Sequence, residues 1–569
     1  MADSSGLSPF VFPLKGGLVL NRSNFNIEPG MALELENFEP DTTGGYRRID
    51  GYTKWTSEKV PFTVSDAEPV LMSAFYQGEA IAARGEAVYR STDASNTLSG
   101  VLAHAATTVT VASTTGFSDT GTIIIDSEQI SYTGKTTTTF TGCTRGANST
   151  LDVEHLDSTT VYQMWTSIDS GRTGAKKYTF RRVNFNGVEL LAFADGSNSV
   201  SYWDGTSVTD INGTNSPVDA HYISVFKNTG FYAGMSANPQ EVIFTAPLTL
   251  DDFSVANGAG SLVVDSPVTG MIVFRDSLYI FSANRIYRLT GSSQADFKLE
   301  PITREIGCRS GWTIKEFAGD VIFLGPDGLR TIAGTQKIGD VELGSITKPI
   351  QELFQDKKSV SEFESYVIPN KTQYRILFSK EGVDAVDTKG VICSGKDQGY
   401  EFSTTRGLKM YCSDTEEYQG DYFIMLGGYD GYVYRDQEGN TFDTTTILGR
   451  YRSPDITAGD PGIRKAFQRV IINYAPEGAV NSDLFLRYDY ESAEVARPEA
   501  YPFDSTKVAA LYGVGLYGTV TYGGQTDPLV RQPVEGSGFS VALRVVDNGV
   551  SVPYSLKGFS LEFTTGARR

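Results

Sequence analysis

The residue types that metal and acid–base chemistry need are scarce in this chain of 569 residues. Its three histidines are His104, His155 and His221, and none has a second His or Cys at the spacing of metal ligands. No Gly-x-Ser-x-Gly elbow marks a catalytic serine. We therefore predict no catalytic residue, no metal site and no cofactor, and we do not expect the chain to be an enzyme.

The segment TGKTTT (133–138) resembles the end of a phosphate-binding loop. Such a loop needs a glycine five residues before Gly134, because only then can the backbone wrap around the phosphates. That position is Gln129. The match is therefore incomplete, and it predicts no nucleotide site.

The segment SIDSGRTG (167–174) resembles the Asp-box turn of sialidase-type propellers, which reads Ser-x-Asp-x-Gly-x-Thr before an aromatic residue. The matching positions are Ser167, Asp169, Gly171 and Thr173. Gly174 replaces the aromatic residue, and the chain has no second good copy of the motif. We therefore prefer an Asx-type turn here. A glycan-binding or sialidase-like propeller acting on a host surface stays open as the alternative function.

The four cysteines are far apart and form no C-x-x-C pair, so they indicate neither a zinc site nor a disulfide framework. We predict four buried thiols, at Cys143, Cys308, Cys393 and Cys412. The N-terminus lacks the charged start and apolar run of a secretory signal. No run reaches the ~18 apolar residues of a membrane helix. The sequence predicts a soluble product, made in the cytoplasm, without a membrane segment.

Composition favours many short strands, since aromatic residues make up 12%, charged residues only 21%, and glycine contributes 59 residues. The formal net charge is −19, from 49 basic and 68 acidic residues. That balance argues against a protein that grips nucleic acid through its phosphates. Residues 455–569 hold 13 acidic and 11 basic residues, so the excess of acid lies in the preceding part.

A hairpin pattern repeats along the chain. In GGYDGYVYRD (427–436) an Asp-Gly turn joins two alternating apolar runs, which is a strong hairpin signal. Related segments end at apolar closing positions that recur at intervals in the forties once an inserted segment is set aside; these positions are Tyr89, Tyr202, Phe244, Tyr287, Thr331 and Tyr434. Such a period predicts an all-β fold with a β-propeller of six or seven blades. A sandwich of unrelated hairpins stays open as the alternative.

Breaks in this pattern divide the chain. The Thr-rich segment 100–164 has its own strand and turn pattern, and a glycine and proline cluster near residue 454 precedes cleanly alternating strands. We predict an N-terminal segment at 1–60, a propeller at 61–99 and 165–452, a small inserted β domain at 100–164, and a C-terminal β-sandwich platform at 453–569. The clearest helix is expected in TKPIQELFQD, where Pro349 suits a first turn.

Three aromatic and arginine pairs recur in the repeats, at Tyr89-Arg90, Tyr287-Arg288 and Tyr434-Arg435. Aromatic and basic side chains together can stack on nucleic acid bases. Strand alternation offers a simpler interpretation, with the tyrosine in the core and the arginine facing solvent or the acids of a neighbouring subunit. We prefer the second interpretation.

The opening of the chain resembles the opening of tail proteins from short-tailed bacteriophages, the podoviruses. The shared features are a Gly-Gly strand, a Pro-Gly, a Glu-x-x-Asn-Phe element and a Gly-Gly-Tyr-Arg-Arg-x-x-Gly-Tyr motif, here at Gly16-Gly17, Pro29-Gly30, Glu34 to Phe38 and Gly45 to Tyr52. The inserted segment also looks like a small β module that recurs in phage tail proteins. The family that the chain most resembles is the propeller-type tail tube, or nozzle, protein.

This resemblance implies a structural protein of the virion tail, synthesised in the host cytoplasm. It implies a homo-hexamer that docks on the tail adaptor ring and conducts genomic DNA during ejection without binding it specifically. We expect the N-terminal segment and the platform to dock, and residues 100–164 to contact tail fibres or the host surface. A scaffold of the WD-repeat kind is disfavoured, because no Gly-His to Trp-Asp pairing recurs.

Overall fold

The structure, a computed structural model, describes residues 7–566 with gaps. The gaps are 63–66, 148–149, 334–344, 356–361, 380–388, 397–398, 409, 479, 493–494, 496, 506–528, 548 and 550–551. The fold is all-β, a β-propeller with a small inserted β domain and a platform of packed sheets. Five strands lie in the N-terminal segment: β1 Ser8–Pro13, β2 Glu34–Glu36, β3 Phe38–Pro40, β4 Tyr46–Arg48 and β5 Tyr52–Lys54.

Seven antiparallel sheets of the described residues follow one another as blades. Blade 1 comprises β6 Met72–Tyr76, β7 Glu79–Arg84, β8 Ala87–Thr97 and β14 Thr160–Ser170. Blade 2 comprises β15 Thr179–Phe185, β16 Val188–Ala194, β17 Ser201–Trp203 and β18 Val208–Asp210. Blade 3 comprises β19 Tyr222–Phe226, β20 Thr229–Ala233, β21 Glu241–Phe244 and β22 Gly260–Val263. Each blade is a hairpin meander, as the sequence pattern predicts.

Blades 4 to 7 continue the series. Blade 4 comprises β23 Val268–Phe274, β24 Ser277–Ser282, β25 Ile286–Thr290 and β26 Lys298–Thr303, and blade 5 comprises β27 Lys315–Phe317, β28 Asp320–Leu324 and β29 Leu329–Thr331. Blade 6 comprises β30 Glu362–Ile368, β31 Gln373–Ser379, β32 Lys389–Lys396 and β33 Gly399–Arg406. Blade 7 comprises β34 Met410–Tyr418, β35 Asp421–Gly428 and β36 Val433–Asp436. The N-terminal strand β5 pairs with β36 as the outer strand of blade 7.

Contacts between inner strands close the blades into a ring. Strand β15 contacts β19, β19 contacts β23, β27 contacts β30, and β30 contacts β34. A 3-10 turn at Gly311–Thr313 lies between blades 4 and 5. One apolar cluster joins blades 1 and 2, and β34 of the last blade packs against β6 of the first. The propeller therefore has seven blades in the described part of the chain.

The repeat equivalences are confirmed. Each of the six closing positions lies in the third strand of its blade, namely Tyr89 in β8, Tyr202 in β17, Phe244 in β21, Tyr287 in β25, Thr331 in β29 and Tyr434 in β36. The three tyrosines of the Tyr-Arg pairs are buried, and their arginines are partly exposed. These arginines pair with acids of the same chain: Glu79, Glu300 and Glu438.

The inserted domain has its own core but grows out of a blade. Its strands are β9 Thr108–Thr110, β10 Gly121–Ile125, β11 Glu128–Tyr132, β12 Gly134–Lys135 and β13 Thr139–Thr141. Strand β10 pairs with β14 of blade 1, so the six-stranded sheet runs from the insert into the propeller. The insert therefore starts just after β8, in the connection between β8 and β14, whereas residues 160–164 of the predicted segment belong to a blade strand.

The platform consists of two sheets packed over one apolar core. Its C-terminal strands are β37 Gly449–Arg452, β38 Lys465–Pro476, β39 Val480–Tyr488, β40 Tyr501–Ser505, β41 Leu529–Pro533, β42 Ser537–Gly538, β43 Val541–Asp547 and β44 Tyr554–Thr565. The N-terminal strands β1 and β4 pair with β44, and β3 pairs with β4. The platform is thus built from both ends of the chain.

Two strands lie across the predicted domain boundaries. Strand β5 belongs to the propeller although it lies within 1–60, and β37 belongs to the platform although it ends at residue 452. Strand β2 pairs with β37 on one side and with β33 of blade 6 on the other. One nine-stranded sheet therefore continues from blade 6 into the platform. Platform and propeller therefore share a sheet.

Helix is sparse in the described residues. The helix expected around Pro349 is present as a 3-10 turn Lys348–Ile350 followed by α1 Glu352–Gln355. Other 3-10 turns cover Asn24–Asn26, Val255–Asn257, Pro369–Lys371 and Asp489–Glu491. All four cysteines are buried and free, as predicted. No helix among the described residues is long and apolar enough to cross a membrane.

The inserted domain offers a test of this arrangement. Thr97 pairs with Thr160, and the amide of Leu98 donates to the carbonyl of Thr159 at 2.9 Å. Replacing residues 99–158 by Asn-Gly turns β8 and β14 into a two-residue hairpin. We expect the shortened protein to keep a cooperative thermal transition by circular dichroism. Loss of that transition would show that the insert is part of the propeller core.

Candidate functional site

The motif residues Gly45 to Tyr52 lie between the platform and the propeller, where the backbone leaves little room. A Cβ on Gly45 would lie 2.1 Å from the carbonyl oxygen of Leu556 in β44. A Cβ on Gly51 would lie 2.1 Å from the carbonyl oxygen of Thr441, just after blade 7. Only glycine fits at these two close approaches. The two glycines therefore allow residues 45–52 to pack closely against both the platform and the propeller.

Tyr46 ties the other motif elements together. Its buried hydroxyl donates to the carbonyl oxygen of Gly30 at 2.6 Å and accepts the amide hydrogen of Gly17 at 3.1 Å. A Cβ on Gly30 would meet the carbonyl oxygen of Pro13 at 2.2 Å. The Gly-Gly, Pro-Gly and Tyr-Arg-Arg elements thus form one hydrogen-bonded unit, although they are spread over some thirty residues.

A buried charge cluster, which we call the junction, surrounds Glu39. The carboxylate of Glu39 accepts from Lys371 Nζ at 2.7 Å and from Arg375 Nη2 at 2.8 Å, both in blade 6. Arg47 Nη1 lies 3.3 Å from the same carboxylate. Glu39 and Arg375 are 2% and 0% exposed. Three cations therefore compensate one carboxylate that has almost no contact with water.

Further ion pairs extend the junction to the remaining parts of the chain. Arg47 also binds Asp50, with nitrogen–oxygen distances of 2.8 and 2.9 Å, and reaches Glu477 of the platform at 2.6 Å. Arg375 Nη1 lies 3.4 Å from Asp436 of blade 7.

Arg48 completes this set. It lies 3.2 Å from Asp547 of the platform, with both side chains fully buried, and it donates to the carbonyl of Asn440 at 2.8 Å. One short segment thereby connects the platform with blades 6 and 7.

The pKa shifts agree with this geometry. Burial raises the pKa of Glu39, but Lys371 and Arg375 outweigh it, and the pKa lies below its ordinary value. Burial likewise opposes ionisation of Asp50, but the hydrogen bond from Arg47 and the charge of Lys371 lower its pKa to about 2. Both carboxylates therefore stay ionised in the folded protein, and their pairing stabilises it. The junction is built to hold parts together rather than to transfer protons.

The three histidines do not come together. His104 is exposed, with Nδ1 at 3.6 Å from Asp152. His155 is buried in the inserted domain, and its ring nitrogens each lie 2.8 Å from a carboxylate oxygen, of Asp126 and of Glu128. His221 lies in the propeller, where Nε2 is 2.9 Å from the carbonyl of Lys177. The described residues contain no group of side chains suited to hold a metal ion.

The Asp-box candidate is not a turn at its first four residues. Residues 167–170 are the end of strand β14, paired with β8. The carboxylate of Asp169 accepts from Arg172, which also lies 3.2 Å from Asp195. The expected Asx-type turn is therefore wrong, because blade pairing extends through Ser170. In the other candidate segment, Lys135 donates to the carbonyl of Phe117.

Comparisons with known proteins identify no family. No protein-family model and no curated protein matches the chain. Among solved structures it is similar to the N-terminal domain of Nup159, with 13% identity over 42% of this chain and 67% of that chain, at a TM-score of 0.28. It is similar to Hsv2 of Kluyvelomyces marxianus, with 10% identity over 60% of this chain and 99% of that chain, at 0.26.

A third solved structure, KlHsv2 with loop 6CD replaced by a Gly-Ser linker, is 10% identical over 59% of this chain and 97% of that chain, with a TM-score of 0.26. The sheets of this chain and the contacts between them define its propeller fold.

The junction leads to a stability prediction. Glu39→Gln removes the charge that compensates Lys371 and Arg375, so we expect the free energy of unfolding at pH 7 to fall by about 3 kcal/mol. Because the pKa of Glu39 is lowered on folding, the same variant should lose less stability than the wild type as the pH falls below about 4. Urea unfolding at several pH values measures both effects.

Glu79→Gln is the matched control. Glu79 pairs with Arg90 at 3.2 Å, but the two side chains are 42% and 33% exposed, so its loss should cost under about 1 kcal/mol. Equal effects of the two substitutions would mean that the junction contributes no more than a surface ion pair.

Proposed function

We propose that this chain is a structural subunit of the distal tail tube, or nozzle, of a short-tailed bacteriophage. In this proposal six copies form a ring that docks on the tail adaptor ring through the platform. The genome passes through the lumen of that ring during ejection. The proposed role is non-catalytic, and the proposed location is the tail of the virion.

The observation that carries this proposal is the position of the residues on which the resemblance rests. The motif side chains Tyr46, Arg48 and Ile49 are buried. Arg47 pairs with Glu477 of the platform and with Glu39, the carboxylate that blade 6 binds through Lys371 and Arg375. Buried residues of this kind determine how two parts of a subunit are joined, not what a surface recognises. The resemblance to tail tube proteins therefore concerns how the platform and the propeller are joined. It supports a structural role for the chain.

Charge supports a conduit that does not hold its cargo. Each copy carries a formal charge of −19, so six copies carry six times that charge. Duplex DNA is bound through cationic side chains that replace its counterions. A strongly acidic ring repels phosphate instead, so DNA can slide past it.

The inserted domain supplies a further contact surface in this proposal. Its described loops carry exposed branched residues, with Val101 at 58%, Leu151 at 80% and Leu156 at 69% exposure. The main chains of Leu102 and His155 are hydrogen-bonded to each other, which brings Val101 close to Leu156. Exposed apolar groups at one tip favour a role in binding another protein. We assign this tip to contact with tail fibres or with the host surface.

A glycan-binding or sialidase-like propeller is the second candidate function, resting on the segment 167–174 and on exposed loops. We place it second because the carboxylate of Asp169 in that segment is bonded to Arg172 within the fold.

Particle mass tests the proposal. A single chain has a mass of 61.9 kDa. We expect multi-angle light scattering of the purified protein, alone or mixed with the adaptor ring of the same phage, to give a particle containing six copies. The protein mixed with an unrelated ring-forming protein is the control. A mass of one chain under both conditions would contradict the proposal.

A further inference from the structure

A small cavity lies on the axis of the propeller, where the inner strands of the blades meet. Its volume is about 90 Å³, and residues of blades 2 to 7 line it. A water molecule needs roughly 10–15 Å³ of such space, so the cavity has room for several waters or one small ion. The charged residues in its lining are Lys177, Arg181, Lys315, Glu364 and Asp414.

The two carboxylates of the lining are already paired. Glu364 accepts from Lys177 and from the hydroxyl of Ser413. Asp414 accepts from Arg182 and, at 2.8 Å, from the amide of Phe75 in blade 1.

Arg182 itself has a second acidic partner, Glu416, at 2.9 Å. These contacts connect blades 1, 2, 6 and 7 around the axis. Because they already pair Glu364 and Asp414 with other groups, neither carboxylate is left to pair with Lys315 or Arg181.

Lys315 and Arg181 have no carboxylate partner in the described part of the chain. The side chain of Lys315 makes no hydrogen bond or ion pair with any described residue, and it is half-buried. Among the described residues, the guanidinium of Arg181 donates to the carbonyls of Phe180 at 2.8 Å and Met271 at 3.5 Å alone. Burial lowers the pKa of both groups, and it outweighs the opposing effect of Asp414 on Arg181 and of Glu364 on Lys315. A desolvated cation without a counter-charge is unfavourable.

The charges around the cavity do not balance. The lining residues and their ion-pair partners comprise four cations, Lys177, Arg181, Arg182 and Lys315, against three carboxylates, Glu364, Asp414 and Glu416. The excess is one positive charge, in the centre of a protein whose net charge is −19. We propose that the axial cavity binds one small monovalent inorganic anion, of which chloride is the abundant example, between Lys315 and Arg181.

Bound in this way, the anion neutralises the excess positive charge where the inner strands of the blades meet. It thereby stabilises the packing of the blades against one another. It is a structural ligand of the propeller, independent of the proposed role in a tail. Because an anion that binds only the folded state stabilises it by mass action, stability should rise with the concentration of the anion.

Chloride NMR tests the proposal on the full-length protein. The ³⁵Cl line width is titrated at constant ionic strength with sodium gluconate, whose anion is too bulky for the cavity. We expect a saturable broadening in the wild type that bromide competes away, and its loss in Lys315→Met. The thermal midpoint should rise on the order of 1 °C for each tenfold increase of chloride above the dissociation constant. This rise should also be absent in the variant.

Lys298→Met is the matched control, since Lys298 is 72% exposed and pairs with Glu300 on the surface of blade 4. It should keep the full chloride response. If Lys315→Met does not fold, Arg181→Met serves the same purpose, and a bromide-soaked crystal of the wild type should show an anomalous peak beside Lys315 Nζ. No saturable response in the wild type, or a full response in a folded Lys315→Met variant, would overturn the proposal.

Discussion

The rest of the structure depends on the burial of charged groups between the first sixty residues, the propeller and the platform. Glu39 and Arg375 are 336 residues apart in the chain and lie 2.8 Å apart in the fold. Burying one of these charges without the other would cost several kcal/mol, so the segments that carry them must come together in one arrangement. The close backbone approaches at Gly45 and Gly51 allow no alternative spacing.

The same segment closes the propeller. Strand β5 supplies the outer strand of blade 7, and β34 of that blade packs against β6 of blade 1. A ring of sheets is stable only when its first and last blades are joined, because an open ring leaves two apolar sheet faces in water. The N-terminal segment therefore has two tasks, closing the propeller and building the platform.

Much of the fold could be predicted from the sequence, because it depends on local patterns. The recurring tyrosines and their glycine turns indicate third strands and hairpins, and the Thr-rich insert interrupts that rhythm. The pairing of distant charges could not be predicted. Nothing near Glu39 in the sequence indicates that Lys371 and Arg375 are its partners, since residue types do not reveal which buried cation meets which buried acid.

The domain boundary predicted at residue 452 does not account for the sheet that the propeller and the platform share, and the reason is related. Strand β37 alternates like any blade strand, and only its partners β2 and β43 show that it belongs to the platform. The axial charges have the same origin, since Lys315, Glu364 and Asp414 come from three different blades. The sequence pattern within one repeat does not indicate which residues of another repeat it contacts.

The most direct test of this account is native-state hydrogen exchange, measured residue by residue in increasing denaturant. If the junction makes one unit of platform and propeller, the slowest amides of β44, β31 and β36 should exchange with the same opening free energy and the same denaturant dependence. Exchange of β44 through an opening of lower free energy, while β31 and β36 stay protected, would show that the platform unfolds independently and would contradict the account.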